Sequence, residues 1–359
     1  MDAKRQQRIE ERERRREERR RQRQEDRRMQ KEASIAHPMP PEEMQVEDVR
    51  FFAVGNGRSG TTWLEHTLNT HPEILCKGSG MFFGKDIRNF GGRRLLYEVL
   101  AHSEGLKTWH EIDLNEWTDP EEFERDVDQI TRAAIDALMR RWLTGSGKRV
   151  LGDRTPHHIA HLQEVHTLYP KARIVHAVRD GRDVAISNLH VFWGHSPDRG
   201  GPANISPEEI EIRDAYLEDR GVFLRSGRSI FTEERIRQQA TGWSRIVRKG
   251  RKKGKELFGD NYIELKYEDH LHRPEEALER LFRFLEVDAN PEVIQAVVEA
   301  NRFEKLTGRS RGQESSGEFM RKGISGDWRE TFTERDRRIF KEEAGELLVE
   351  LGYEKDLSW

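Results

Sequence analysis

The stretch Phe51 to Trp63, FFAVGNGRSGTTW, constrains this chain more than any other. Its four apolar residues, Phe51-Phe52-Ala53-Val54, are enough for one buried strand. Gly55-Asn56-Gly57-Arg58-Ser59-Gly60 then breaks the run, and Thr61-Thr62-Trp63-Leu64 resumes as a helix start. A strand, a glycine-rich turn and a helix N-terminus aim free backbone N–H groups and the helix dipole at one spot. That combination is an anion site. Gly55 and Gly60 hold the two glycine places of the Walker A pattern, and Thr62 holds its Ser/Thr place. Thr61 stands where that pattern needs lysine. The cation inside the loop is Arg58, so this reads as a phosphate loop whose charge has moved.

The 359 residues allow one large α/β domain or two small ones. Charged residues make up 36 %, yet the formal net charge is only −3, which argues against general nucleic-acid affinity. Much of that charge lies in the run Lys4 to Glu32, rich in Arg and Glu and almost without apolar residues. Residues 1–33 have Glu/Arg pairs at i,i+4 but no apolar stripe, so the expectation is a solvated helix or a disordered tail. His37-Pro38-Met39-Pro40-Pro41 then marks a linker. The expected division is a charged arm and linker over 1–45 and one catalytic domain over 46–359. Cys76 is the single cysteine, which excludes an intrachain disulfide and points to a reducing compartment. No apolar run approaches the roughly 20 residues that span a bilayer. The first residues also lack the apolar core of a signal peptide. The expectation is a cytoplasmic protein without stable membrane insertion.

Strand and helix patterns alternate along the rest of the chain. Thr62 to Thr70 reads as a short helix stopped by His71-Pro72. Pro120 to Leu143 reads as an amphipathic helix with Phe123, Val127, Ile130, Ala134 and Leu138 on its apolar face. Lys148 to Gly152, Arg173 to Val178 and Tyr262 to Tyr267 read as strands. Helices follow at Val184 to His190, around Ile236 to Val247, at Pro274 to Leu285 and at Glu334 to Leu351. Residues 193–230 are rich in glycine, proline and charge, and are expected to be variable or mobile. The alternation predicts an α/β fold, a parallel sheet with helices on both faces, in three layers. Ligands of such sheets bind beyond the carboxyl ends of the strands. Those ends carry Asn56-Gly57-Arg58, Asp153-Arg154, Arg179 and Tyr267, so the rim is expected to suit a multiply charged anion.

Three separated motifs resemble those of sulfotransferases that use 3′-phosphoadenosine 5′-phosphosulfate (PAPS). Arg58-Ser59-Gly60-Thr61-Thr62-Trp63 resembles the family's 5′-phosphosulfate loop, where cytosolic members carry lysine at the place of Arg58. Arg179 to Ser187, RDGRDVAIS, resembles the 3′-phosphate motif. Arg321-Lys322-Gly323-Ile324-Ser325-Gly326-Asp327-Trp328 resembles the C-terminal RKGxxGDW element of the cytosolic branch, and Tyr267-Glu268-Asp269 and Phe303 fall where that branch contacts adenine. The resemblance covers roughly Val49 to Leu351 and implies a P-loop NTPase-like fold. It implies sulfuryl transfer from PAPS to a hydroxyl of a small molecule, lipid or glycan, with no metal required. It leaves the acceptor unnamed and homodimer formation open.

The residue chemistry agrees with that resemblance. Gly55, Gly57 and Gly60 let backbone amides approach an anion, and Thr61 and Thr62 add hydroxyl donors. Arg58 can follow charge onto the departing nucleotide, since transfer of this kind depends mostly on positioning and charge stabilisation. Ser187 can reach a 3′-phosphate enclosed by Arg321 and Lys322. Trp63, Tyr267 and Phe303 can sandwich a base. For the general base the resemblance points to a histidine before the Arg179 strand. His157 is the first choice there, followed by Asp153 and His158. Two other readings stand beside this one: a P-loop kinase with Asp153 on magnesium, and a non-catalytic nucleotide-binding scaffold. The acceptor pocket is expected from residues 78–118 and 190–230, where Phe82, Phe83, Trp109 and Trp193 hint at a ring-shaped acceptor.

Overall fold

A computed structural model describes residues 50–78, 80, 82–83, 120–201, 203–313 and 322–359. The charged arm, most of the aromatic stretch that includes Phe90, Trp109 and Trp117, and Arg321 lie outside the described residues.

Five parallel strands form one sheet in the order β2-β3-β1-β4-β5, with β1 at Phe51–Gly55, β2 at Ile74–Gly78, β3 at Val150–Arg154, β4 at Arg173–Val178 and β5 at Tyr262–Lys266. The register sets Phe52 beside Asp153 and Gly55 beside Ala177. All five residues of β1 are buried, as a central strand covered on both faces requires. Side chains alternate across it. Phe51 and Ala53 join a core with Leu64, Leu68, Leu278, Leu281 and Phe282. Phe52 faces the other way, toward Tyr169 and Phe83.

The helices cover both faces. On the first lie α1 (Thr61–Thr70), which directly follows the glycine loop, and the later helix Pro274–Leu285. The other side carries α2 (Pro120–Leu143), a 3₁₀ turn at Pro156–His161 and α3 (Leu162–Leu168). It is completed by α4 (Gly181–Gly194), α5 (Pro207–Glu218), α6 (Arg220–Arg225) and α7 (Glu233–Phe258). After β5 come α8 (Tyr267–His272), α9 (Pro274–Leu285), α10 (Pro291–Ala300), α11 (Phe303–Thr307), α12 (Trp328–Thr331) and α13 (Glu334–Glu350). Among the described residues no helix is long and apolar enough to cross a membrane.

Three expectations need correction. The helix over Pro120–Leu143 forms, and the expected face residues Phe123 and Val127 lie outside the described side chains; among those described, Thr131, Ile135, Met139 and Leu143 are buried, Ala134 is half-buried, and Ile130 and Leu138 are exposed. Apolar residues line two adjacent stripes of this helix. The one that packs is set by Tyr169, whose hydroxyl donates to Asp136 at 3.0 Å. Residues 193–230 are not a structureless segment, because α5 and α6 lie within them. Ser206 closes a capping box with Glu209 at the start of α5. Arg213 reaches Ser196 and Asp198 from the same helix, and Ile205, Tyr216, Phe223, Ile230 and Phe231 join a common core. Strand β2 is the third difference. It passes unnoticed in the sequence because only Ile74 and Cys76 of its five residues are buried.

A cleft at the carboxyl ends of the strands

The loop after β1 ends at Gly60, which caps α1 in the left-handed region at φ 87° without any side-chain hydrogen bond to the helix. The first turn of α1 contains no acidic residue, so its positive end is not neutralised there. Gly60 is required on a second count, because a Cβ there would sit 2.5 Å from Cδ2 of Tyr267. Arg58 also adopts the left-handed conformation, at φ 70°. Its Nε donates to Ser187 Oγ on α4 at 2.9 Å, and its carbonyl accepts from Arg179 Nη1 at 3.2 Å. The loop, the end of β4 and α4 are thereby joined through one residue.

These groups open onto a cleft lined by Arg58, Gly60 to Trp63, Arg179, Ser187, Tyr267, Leu271, Phe303 and Lys322 to Ile324. Its cations come from three places far apart in the chain. The Arg179 guanidinium lies 4.4 Å from the Tyr267 ring centroid, and its Nη2 donates to the Ile324 carbonyl at 3.2 Å. Among the described residues, Arg179 Nε at the cleft and Ser59 Oγ, in the loop but outside the cleft lining, are buried without a hydrogen-bond partner. Such atoms are costly in a folded protein, and both are able to donate to an anionic oxygen. Lys322 is 5 % exposed and its Nζ donates to Asp327 at 2.7 Å.

The aromatic side is equally fixed. Trp63 stacks on His270 with centroids 4.2 Å apart, meets Tyr267 edge-on at 5.7 Å, and donates from Nε1 to the Asn301 carbonyl at 3.0 Å. Phe303 packs against Gly323, where φ is 64° and a Cβ would collide with its ring. The Gly323–Trp328 loop is tied down by Asp183 of α4, which accepts from the Gly326 amide at 2.7 Å and the Trp328 amide at 3.1 Å. Burial pushes the Asp183 carboxyl up, and Arg179 pulls it back.

Some residues expected at the rim are elsewhere. Arg154 does not line the cleft; it forms an ion pair with Glu65, donating from Nε at 2.9 Å. Asp153 and His158 are fully buried, with Asp153 Oδ2 3.2 Å from His158 Nδ1. Asp153 Oδ1 accepts the Gly80 amide at 3.2 Å and His158 Nε2 accepts the Phe83 amide at 3.4 Å. His157, the neighbouring residue, is exposed. Sequence reasoning missed Glu65, Asp183 and Asp327 as partners. Only Asp183 and Asp327 had a local signal, since they lie inside the two basic motifs.

A family model described as "Sulfotransferase domain" matches residues 48–352. The chain belongs to the sulfotransferase family. Nodulation protein NoeE of Sinorhizobium fredii (strain NBRC 101917 / NGR234) is 25 % identical over 330 residues, covering 85 % of this chain and 66 % of NoeE. Sulfotransferase 1B1 of Canis lupus familiaris is 33 % identical over 79 residues, covering 19 % of this chain and 27 % of that protein. The chain thus spans just under two thirds of one curated relative's length and about a quarter of the other's. A crystal structure of mouse sulfotransferase SULT7A1 complexed with PAP overlaps 87 % of this chain and 90 % of that one, at 18 % identity and a TM-score of 0.45.

Proposed function

We propose that the protein transfers a sulfuryl group from PAPS to an acceptor hydroxyl and releases 3′,5′-ADP. The observation that carries this reading is the single cleft that gathers Arg58, Gly60 to Trp63, Arg179, Ser187, Tyr267, Phe303, Lys322 and Gly323. PAPS supplies the sulfuryl group and an adenine nucleotide as leaving group. The residues present fit it, since Arg179 Nε, a buried donor without a hydrogen-bond partner among the described residues, belongs to a residue that lines the cleft with the cations Arg58 and Lys322 and the aromatic rings of Trp63, Tyr267 and Phe303. The first-turn amides of α1 with Thr61 and Thr62 hold the sulfate end, while Arg179, Ser187 and Lys322, with Arg321 beside it in sequence, hold the 3′-phosphate. Trp63, Tyr267 and Phe303 take the adenine. Arg58 stabilises charge gathering on the departing nucleotide, an effect that grows toward the transition state.

His157 is proposed as the base that takes the acceptor proton. Its support is exposure: Asp153 and His158 are wholly enclosed, Asp153 Oδ1 and His158 Nε2 each accept a backbone amide, and Asp153 Oδ2 and His158 Nδ1 lie 3.2 Å apart without forming a hydrogen bond. His157 itself sits in the 3₁₀ turn Pro156–His161 that follows β3. Removal of a general base costs typically ~10²–10⁴-fold. His157→Ala is expected to lower kcat into that range on the true acceptor with little change in 3′,5′-ADP affinity, and near wild-type kcat would reject the assignment. The acceptor is proposed to be a small molecule, lipid or glycan.

Calorimetry tests the whole reading. Tight 3′,5′-ADP binding in EDTA is expected, with weaker ATP binding that magnesium does not rescue. Equal, magnesium-dependent affinity for both nucleotides would favour a phosphotransferase instead. That alternative needs Asp153 on a metal, and Asp153 is enclosed.

A further inference from the structure

Glu268 follows Tyr267 at the start of α8 but does not line the cleft. Its Oε1 accepts the Asp180 amide at 3.1 Å, and its Oε2 accepts the Tyr353 hydroxyl at 2.9 Å. One half-buried carboxyl group therefore joins the helix that carries Tyr267, the turn that carries Arg179, and the turn after α13. The groups facing it are Asp180 and Arg179 from that turn and Tyr353 from the C-terminal turn; Lys266 of β5 lies over the Tyr353 ring, its Nζ 5.1 Å from the ring centroid. Asp180 is itself engaged by Arg182, at 3.0 and 2.8 Å. Arg182 in turn is held by Glu354 and lies 3.6 Å from the Trp328 ring centroid. Arg179 is thus the cation whose charge Glu268 shares with the cleft.

We propose that Glu268 is a positioning residue for the nucleotide end of the cleft, which sets Arg179 through the Asp180 amide and takes up a proton when an anion binds there. This rests on reading the cleft as a site for a nucleotide with a 3′-phosphate. Burial, reinforced by the Asp180 charge, pushes the Glu268 carboxyl up to about 7, against the pull of the Asp180 amide and Arg179. An anion on Arg179 cancels part of that pull and moves the carboxyl further toward its neutral form. Linkage is reciprocal, so a neutral Glu268 strengthens anion binding to the same degree. The Tyr353 hydroxyl donates to Glu268 Oε2 and so favours the charged carboxylate.

The test is calorimetry of the full chain with 3′,5′-ADP at several pH values, in buffers of different ionisation heat. Wild type should take up a fraction of a proton near pH 7 that Glu268→Gln does not. Between pH 6 and 8 its affinity should fall about tenfold relative to that variant, which corresponds to one pKa unit of coupling. The comparison removes the ligand's own phosphate titration, common to both proteins. Tyr353→Phe deletes a donor to the carboxylate, so the wild-type midpoint should move to higher pH. Equal proton uptake in wild type and Glu268→Gln overturns the inference, as does an unmoved Tyr353→Phe midpoint should Glu268→Gln fail to fold. Absence of 3′,5′-ADP binding by wild type at every pH would instead overturn the functional reading, and this inference with it.

Discussion

Replacing Gly60 and Gly57 by alanine, one at a time, asks whether the loop's shape or its glycine content matters. At Gly60 the new Cβ would lie 2.5 Å from Tyr267 Cδ2 and 3.1 Å from Cε2, at a φ of +87°. The left-handed conformation alone costs alanine roughly 1–2 kcal/mol. Relief of the clash needs the Tyr267 ring to move by nearly an ångström, and that ring carries Arg179 at 4.4 Å on one side and Trp63 at 5.7 Å on another. Overpacking of this kind costs typically 1–3 kcal/mol. Gly60→Ala should therefore lose about 2–5 kcal/mol, divided between folding and nucleotide binding. At Gly57 a Cβ meets nothing within 4 Å, and the backbone is outside the left-handed region. Gly57→Ala should match wild type. Urea midpoints and 3′,5′-ADP calorimetry read both quantities. Equal behaviour of the two variants, in either direction, would refute the steric account of the loop.

Arg58→Ala is expected to cut kcat by 10²-fold or more, the scale of removing one preorganised charge donor. Most 3′,5′-ADP affinity should remain, and a loss confined to KM would refute its role in transfer. Asp183→Asn presents an amide NH₂ toward two backbone donors, the Gly326 and Trp328 amides, and leaves one unsatisfied. The cost is about 1–3 kcal/mol, visible as a lower urea midpoint together with a raised KM for PAPS. Two histidines predict the acid limb of stability. Burial lowers both His176 and His270 to about 4 from 6.5, so their stabilising contribution is present above pH 6.5 and is lost as pH falls toward 4. Each costs about 2 kcal/mol at pH 5. A urea midpoint at pH 5 equal to that at pH 7 would contradict this.

That Arg58, Gly60 to Trp63, Arg179 and Ser187 meet at one cleft was legible because its parts are local. Phe51 to Trp63 contains its own strand, turn and helix start, and Gly60 stands where the backbone needs it, though Gly57 does not. Arg179 and Ser187 fall on one strand end and the helix after it, a spacing the sequence displays directly. What escaped depended on partners far along the chain. Arg154 reads as a rim cation until Glu65, 89 residues away, is found to bind it. The helix at Pro207–Glu218 looks like surface loop because its composition is charged, yet Arg235 of α7 binds Glu209 in it from 26 residues away. The buried side of α2 was misjudged for a related reason. Two apolar stripes competed, and only the packing partner decided between them.

Arg58 shows how the loop manages without the Walker lysine. A lysine one position after Gly60 would project from the first turn of α1, on the same element as the amides it assists. Arg58 instead projects from the loop across to α4, where its Nε meets Ser187, and its own carbonyl receives Arg179. A non-glycine residue at φ 70° carries a conformational cost of roughly 1–2 kcal/mol, which the two hydrogen bonds offset in part. The left-handed backbone turns the side chain toward Ser187 on α4. The resemblance assigns Arg58 and Ser187 to opposite ends of the nucleotide, and the fold joins them directly. One cation therefore feels charge at both ends of the cleft. A change at Ser187, though it removes only a hydroxyl, should alter Arg58 as well as the 3′-phosphate contact, so Arg58→Ala and Ser187→Ala should be non-additive, as is usual for residues in contact.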